Sequence, residues 1–430
     1  MNTPRLLALL LLAAAVGTAT AQINLPAPGL PQLPALKPPL GQALETARSA
    51  VPTDLRRLRI RELLGSERAT LERGPGGEPI VRGQVGALTP SPEALERARQ
   101  AGFTVLRDDE LAGVGLRLVL LQAPQRVSTR RALRLLRELD PEGSYDFNHV
   151  YTGGAADVPA GAVTPAAPAP DGPAAPAGRA RIGLVDSGVD GSHPALAGLE
   201  IRRFGCDGRT LPAPHGTAVA SLLAGSAWDF RGAQPGATLY AADIFCGGAG
   251  GSFGALALAL DWLARERVPV VNISLVGAKS LLLTGLVRAM NDRGYLLVAA
   301  VGNDGPAAPP LFPAAYPEVI GVTAVDLRDR VIAEACRGPH VAFAAPGAEM
   351  LAAVPGGGYA PVRGTSFAAP IVAGLLAEGL ELPDRRHADA ARARLHARAL
   401  DLGPPGPDEI YGQGLAGGQL RIPVQSVTGN

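Results

Sequence analysis

Several classes of protein are excluded by what this 430-residue sequence lacks. It has three cysteines, which are too few for a disulfide framework. Its net charge of +1 gives no reason to expect a nucleic acid or an anionic membrane as partner. No apolar run after the first sixteen residues approaches the roughly 20 residues that span a bilayer. The glycine-rich phosphate-binding patterns are absent after the first strand predicted in the longest domain.

What the sequence does contain is enough apolar material for a large core. Apolar residues make up 47% of the chain and charged residues 18%, which excludes a disordered protein. Residues 1–21 predict a secretory signal, with Arg5 before the apolar run 6–16 and an Ala-x-Ala cleavage site at 19–21. We therefore expect an exported protein, secreted or periplasmic, with no stable membrane insertion after the signal is removed.

The cysteines have two possible roles in such a compartment. Two of them are free to form a disulfide bond under oxidising conditions, and we predict the pair Cys206 and Cys246 with Cys336 left over. The alternative is three small buried apolar residues. The sequence alone leaves both readings open.

The first 178 residues divide by composition. Residues 22–77 predict a Pro-rich arm and an Arg/Glu-rich connecting helix that reaches residue 73, without chemistry of its own. Residues 78–151 predict a small α+β domain with the order β-α-β-β-α-β, the ferredoxin-like arrangement. Residues 152–178 are almost entirely Ala, Pro, Gly and Asp, which predicts a linker.

Residues 179–430 predict an α/β domain. Apolar strands alternate with helical stretches there, which is typical of a doubly wound, mostly parallel sheet covered on both faces. The predicted strands are 180–185, 238–244, 268–274, 295–301, 319–325 and 341–345. The predicted helices are 217–224, 254–265, 281–293, 366–380 and 384–399.

Four polar residues fall where these strands end or these helices begin: Asp186, His215, Asn303 and Ser366. Each alone fits an ordinary turn or helix cap. Because the carboxyl ends of parallel strands form one crevice, we expect the four to converge. Together they supply an acid, an imidazole base, a hydroxyl nucleophile and an amide donor, which acyl transfer requires. Pro370 is compatible with the first turn of the helix that carries the serine.

The order and spacing of these motifs resemble the subtilisin-like serine proteases. The order is acid, imidazole, hydroxyl, with 29 residues from Asp186 to His215, whereas α/β-hydrolases have the serine first. The resemblance extends over roughly residues 179–420. It includes the motifs at residues 271–275, 344–347 and 411–414.

This resemblance implies a role for each residue. Ser366 would attack the scissile carbonyl and His215 would carry its proton. Asp186 would orient the imidazole, and Asn303 would bind the oxyanion with the backbone N–H of Ser366. The implied substrate-binding residues are Ser274, Leu275, Val276, Gly277 and Gly302, where a peptide would add as a strand.

The same resemblance implies polypeptide substrates and no cofactor, and we predict no metal because no calcium-binding loop of the family is recognisable. Two departures from the family pattern stand out. Val276 replaces a common Gly, which predicts a narrower primary pocket. Phe367 and Ile371 replace the usual Met and His after the serine, without affecting the triad roles.

The small domain at residues 78–151 resembles the propeptides of this family. We expect it to inhibit the enzyme until self-cleavage near the bond between Tyr151 and Thr152, or within the linker.

Two functions are alternatives to a serine endopeptidase. One is a catalytically silent binding module, against which the intact set of four residues argues. The other is a ligase or esterase with the same triad. Primary specificity stays open, because Asp304 favours basic side chains and Tyr151 favours aromatic ones.

Overall fold

The structure is a computed structural model that describes residues 55–153, 180–227 and 230–422. The predicted signal at residues 1–21, the arm up to residue 54 and all but the first two residues of the predicted linker lie outside the described residues. We call residues 55–153 the N-terminal segment and residues 180–422 the C-terminal segment.

The N-terminal segment has three helices and five strands among its described residues. They are α1 (Leu55–Ser66), β1 (Leu71–Arg73), β2 (Pro79–Leu88), α2 (Pro92–Gln100), β3 (Thr104–Leu111), β4 (Leu116–Gln122), α3 (Thr129–Leu139) and β5 (Ser144–Gly153). The helices α2 and α3 start where the sequence supplies N-cap residues. Ser91 accepts a hydrogen bond from the Ala94 N–H before α2, and Ser128 accepts one from the Arg131 N–H before α3.

These strands form an antiparallel sheet in the order β5-β2-β4-β3. The short β1 pairs with the first residues of β2, at positions 79–81. From β2 to β5 the elements follow the order β-α-β-β-α-β that the sequence pattern predicts. Leu95 of α2 and Leu133 of α3 pack with Val85 and Val119 in one apolar cluster. Both helices therefore cover the same face of the sheet.

The connecting helix was predicted to reach residue 73, and this is wrong. α1 ends at Ser66, and residues 71–73 pair with β2 as a strand. Leu71 is buried there against Leu63 and Val150. A helix continued to residue 73 would not bring Leu71 to the sheet, so the burial of this side chain decides between the two conformations.

The C-terminal segment is built on a seven-stranded sheet in which every strand is parallel to its neighbours. Its strands are β6 (Arg181–Asp186), β7 (Ile201–Phe204), β10 (Thr238–Asp243), β12 (Val270–Ile273), β14 (Leu296–Ala300), β15 (Val319–Val325) and β16 (Val341–Pro346). They lie in the order β16-β15-β14-β12-β6-β10-β7. The strand order reverses next to β6, which is where crevices form in open α/β sheets.

Helices cover both faces of this sheet. They are α4 (Pro214–Ala224), α5 (Phe253–Arg265), α6 (Leu281–Asp292), α7 (Thr365–Ala377) and α8 (Arg385–Arg398). α4, α7 and α8 share one apolar cluster, while α5 and α6 belong to the cluster on the other face. All six strands and all five helices that the sequence predicts are present here, with ends that shift by at most three residues.

Other elements were not predicted. They are β7 and the hairpin of β17 (Ala348–Val354) and β18 (Gly358–Arg363), with the short strands β8 (Ser226–Ala227), β9 (Phe230–Arg231) and β11 (Gly250–Ser252). The short strand β13 (Leu275–Val276) lies where the resemblance implies a strand edge. The hairpin sequence is rich in Ala and Gly, which have low strand propensity, so its strands depend on tertiary packing. β7 adds to the edge of the sheet through pairing with β10.

The predicted disulfide between Cys206 and Cys246 is present, with a Cα–Cα distance of 5.1 Å. Cys336 is buried and unbonded, and burial raises the pKa of its thiol to about 11, which keeps it protonated and unreactive. Within the described ranges, no helix combines the length and the apolar character needed to cross a membrane.

Candidate active site

Asp186 and His215 form a close pair at one edge of the parallel sheet. Asp186 is the last residue of β6, and His215 is the second residue of α4. His215 Nδ1 lies 2.8 Å from Asp186 Oδ1 and 3.0 Å from Oδ2. The carboxylate is fully buried and the imidazole is 19% exposed. A buried carboxylate in this position holds the proton on Nδ1 and makes Nε2 the basic nitrogen.

Ser187 fixes the orientation of this carboxylate. Its backbone N–H and its hydroxyl both donate to Asp186 Oδ1, at 2.6 and 3.0 Å. The Gly216 N–H in turn donates to Ser187 Oγ at 3.0 Å, which ties the strand carrying the acid to the helix carrying the imidazole. Ser187 was not predicted as a residue of the site. Its position directly after the acid was the available signal.

Ser366 is fully buried at the start of α7, as its second residue. Pro370, four residues later, has no N–H, so the Ser366 carbonyl has no donor within the helix. Ser274 supplies one instead, because its Oγ–H donates to this carbonyl at 3.2 Å. Asn272 Nδ2 donates to Ser274 Oγ at 2.8 Å. α7 begins at Thr365, so the expected place of Pro370 in the first turn is wrong and the proline lies in the second turn.

The helices that carry His215 and Ser366 pack against each other at their starts. α4 contacts α7 directly. The ring of His215 lies 5.4 Å from the ring of Phe367, measured between centroids, and Phe367 follows Ser366. The structure thus brings the predicted imidazole next to the helix turn that holds the predicted nucleophile.

Asn303 is attached to the same turn through Thr365. The Thr365 N–H donates to Asn303 Oδ1 at 3.1 Å, and the Gly302 N–H donates to Thr365 Oγ1 at 3.2 Å. Because Oδ1 is engaged by Thr365, the Nδ2 group lies on the opposite side of the carboxamide. Thr365 was not singled out in the sequence, although it directly precedes the serine.

The predicted substrate-binding strand is occupied by the chain itself. β5 lies between β11 and β13 and is antiparallel to both. Thr152 is opposite Val276, Gly153 is opposite Leu275, and Tyr151 is opposite Gly251 of β11. Of the residues predicted to bind substrate, Leu275 and Val276 thus pair with a strand of the N-terminal segment.

Tyr151 is fully buried in this groove, and its ring lies against Gly277. A Cβ atom at position 277 would come within 2.7 Å of Tyr151 Cε1, so only glycine leaves room for the ring. Leu275 and Tyr316 belong to the same apolar cluster as the Tyr151 side chain. Tyr151 fills a pocket formed around Gly277, which lies three residues beyond Ser274.

Asp304, next to Asn303, meets a charge from outside the C-terminal segment. Arg56 of α1 lies 3.5 Å from Asp304 and also donates to Glu78 at 2.9 Å. Burial raises the pKa of Asp304 above its usual value, although Arg56 opposes this shift. The helix that was predicted to be without chemistry thus places a guanidinium beside the residue considered for binding basic side chains.

A second carboxylate, Asp243, lies beside the acid of the pair. It is the partner of Asp186 in the pairing of β10 with β6. Its Oδ1 accepts the N–H groups of Phe245 and Cys246, both at 2.9 Å. Burial raises the pKa of Asp243, and the nearby charge of Asp186 adds to this. No local pattern indicates this neighbour of Asp186, because residues paired across strands are distant along the chain.

A buried carboxylate–imidazole pair and a buried serine, at one edge of a parallel sheet, define a serine hydrolase of the α/β type. Comparison with known proteins agrees with this class. A sequence model described as the subtilase family matches residues 178–414. The Minor extracellular protease Epr of Bacillus subtilis (strain 168) is 31% identical over 204 residues, which are 47% of this chain and 32% of Epr. Subtilisin E of the same organism is 30% identical over 296 residues, 66% of this chain and 76% of that protein.

Among solved structures, fervidolysin from Fervidobacterium pennivorans, described as a keratinolytic enzyme related to subtilisin, matches with a TM-score of 0.62. The sequence identity is 20%, so this likeness concerns the fold. It covers 82% of this chain and 62% of fervidolysin. The chain therefore belongs to the subtilase family, the subtilisin-like serine endopeptidases.

Proposed function

We propose that this protein hydrolyses peptide bonds with Ser366 as nucleophile and His215 as general base. The observation that carries the proposal is the buried pair of Asp186 and His215, next to the first turn of α7. His215 Nε2 takes the proton of Ser366 Oγ as the hydroxyl attacks the scissile carbonyl, and returns it to the leaving amine. Asp186 stabilises the imidazolium that forms between these two steps.

The negative charge on the carbonyl oxygen needs donors that are already in position. The Ser366 N–H lies in the first turn of α7, where N–H groups have no partner within the helix and the helix dipole is positive. Asn303 Nδ2 is the second donor, and the hydrogen bond between Thr365 and Asn303 supports its orientation. Removal of one such donor costs about 10²–10³ in kcat.

We further propose that residues 78–151 act as an inhibitory propeptide of ferredoxin-like fold, preceded by a secretory signal at residues 1–21. β5 occupies the groove as a substrate strand would. Two residues of β5 also accept hydrogen bonds from the first turns of two helices of the C-terminal segment. Asp146 Oδ2 accepts the Leu281 N–H of α6 at 2.7 Å, and Asn148 Oδ1 accepts the Gly254 N–H of α5 at 3.2 Å.

Of the two cleavage positions expected from the sequence, we favour the linker. Tyr151 and Thr152 are paired with β11 and β13, and Ser274, the residue bonded to the Ser366 carbonyl, lies beyond the partner of Gly153. The bond that reaches the nucleophile is therefore C-terminal to Gly153. The processed enzyme would act on polypeptides in a secreted or periplasmic location.

The test is expression of the full chain with its signal, in parallel with Ser366→Ala. The unaltered protein should react with a fluorophosphonate at Ser366 and should acquire a new N-terminus after residue 153. Ser366→Ala should stay unprocessed and should lose about 10⁶ in kcat. A processed Ser366→Ala chain, or a loss of less than tenfold, would refute the assigned role. An unreactive Ser366 in the folded protein would favour a silent binding module.

A further inference from the structure

The position of a substrate residue next to the scissile bond follows from the register of β5, if the proposed function holds. Thr152 lies opposite Val276 and Gly153 opposite Leu275. One step further along an antiparallel pair, a substrate residue lies opposite Ser274, which is hydrogen-bonded to the Ser366 carbonyl. The turn at Gly302 and Asn303 lies near this position, because both residues are hydrogen-bonded to Thr365, which precedes Ser366.

Leu311 fills the space behind that turn. A Cβ atom built on Gly302 would lie 2.5 Å from Leu311 Cδ1, so the leucine side chain is in direct contact with the glycine. Leu311 is 6% exposed and belongs to the same apolar cluster as Leu275 and Val276. Its side chain thus packs against Gly302 and shares an apolar cluster with the strand that faces the substrate.

The backbone around Leu311 cannot easily withdraw. The Gly277 N–H donates to the Phe312 carbonyl at 2.8 Å, and the Phe312 N–H donates back at 3.2 Å. The Ala315 N–H donates to the Leu311 carbonyl at 3.0 Å. Added volume in a packed region causes strain, so displacement of this leucine by a large substrate side chain would cost free energy.

We propose that Leu311 closes the primary specificity pocket, so that the enzyme cleaves after glycine or alanine. The two spaces differ in size. The pocket around Gly277 holds the whole phenol ring of Tyr151, whereas the space beside Gly302 is filled by the Leu311 side chain. The chain's own residues after Gly153 are Gly154, Ala155 and Ala156, and all of them have small side chains. Selectivity against large residues is thus set by position 311, in addition to the narrowing that Val276 contributes.

The test uses the full chain after self-processing and four peptides of the form Tyr-Thr-Gly-X with a chromogenic leaving group. X is Gly, Ala, Leu or Phe, and active sites are counted with a fluorophosphonate. We expect kcat/KM for Ala to exceed that for Phe by about 10- to 100-fold. In Leu311→Ala, the Phe peptide should gain about tenfold or more while the Ala peptide changes by less than about threefold.

Two variants serve as controls. Leu311→Met conserves volume and should keep the preference for small residues. Leu415→Ala removes the same atoms from a separate apolar cluster and should leave the preference unchanged. If Leu311→Ala does not fold, the preference of the unaltered enzyme and of Leu311→Met for small over large X still tests the inference.

The inference is overturned if the unaltered enzyme cleaves after Phe or Leu as fast as after Ala. It is also overturned if Leu311→Ala folds and keeps the original preference. In both cases the labelled, active Ser366 leaves the proposed function intact. If Ser366 does not label and no peptide is cleaved, the proposed function itself fails and the inference fails with it.

Discussion

The hydrogen bond between Ser274 and the backbone carbonyl of Ser366 gives a quantitative prediction. In Ser274→Ala, the Ser366 carbonyl and Asn272 Nδ2 both lose the partner that the structure gives them. Each buried polar group left unsatisfied costs about 1–3 kcal/mol, so we expect the free energy of unfolding to fall by about 2–6 kcal/mol for the two groups together. Pro370→Ala supplies the missing N–H four residues after Ser366 and should restore about 1 kcal/mol in the double variant.

A double-mutant cycle isolates this coupling from the helix propensity of alanine and from its effect on the unfolded chain. All four proteins carry Ser366→Ala to prevent self-digestion, which leaves the carbonyl at position 366 in place. Guanidinium unfolding of the full chain gives the four free energies. We expect a coupling of about 0.5–1.5 kcal/mol between positions 274 and 370.

The matched control is Ser221→Ala, which removes a buried hydroxyl whose Oγ–H donates to the Ala218 carbonyl at 2.7 Å. Its effect should be additive with that of Pro370→Ala. Additivity of Ser274→Ala with Pro370→Ala within about 0.3 kcal/mol would show that the proline does not free the Ser366 carbonyl for Ser274.

Three further predictions concern the groove, the propeptide contact and the second carboxylate. Asn303→Ala should lower kcat by about 10²–10³ with little change in KM, measured on a peptide substrate, and an unchanged kcat would remove Asn303 from the oxyanion site. Asp146→Ala removes a buried hydrogen bond to the Leu281 N–H, worth about 1.5–3 kcal/mol. If residues 78–151 inhibit the enzyme as proposed, the delay between processing and the appearance of activity should become shorter. Glu142→Ala, at an exposed position, should not change this delay. For Asp243 the folded pKa is raised, so its contribution to stability is present below the ordinary value near 3.8 and is lost as the pH rises through the folded pKa. Asp243→Asn should therefore increase the free energy of unfolding at pH 7 and flatten its dependence on pH just above 3.8, and an equal slope in both proteins would contradict this.

The sequence predicts the parallel sheet well because its signals are local. Each of the six predicted strands is an apolar run such as the one at residues 319–325, which is found with the same limits as β15, whereas the unpredicted β7 carries two arginines. The four candidate site residues could also be proposed from the sequence, since each lies near the end of a predicted strand or the start of a predicted helix. Short-range patterns of this kind need no knowledge of the partner.

Features that depend on contacts between distant segments could not be predicted in this way. The pairing of Asp243 with Asp186 requires the strand order, and the strand at residues 71–73 requires the burial of Leu71 against Val150. The contact of Arg56 with Asp304 joins positions 248 residues apart. Nothing in the local sequence at either position indicates the other.

Ser274 connects the two parts of the chemistry that the sequence treats separately. It begins the strand edge that holds β5, and its hydroxyl holds the carbonyl of Ser366. A peptide that pairs with Leu275 and Val276 is therefore positioned by the same backbone that positions Ser366. If a substrate pairs with this same edge, as proposed, it competes directly with β5, and the register of the pairing decides which bond lies beside Ser366.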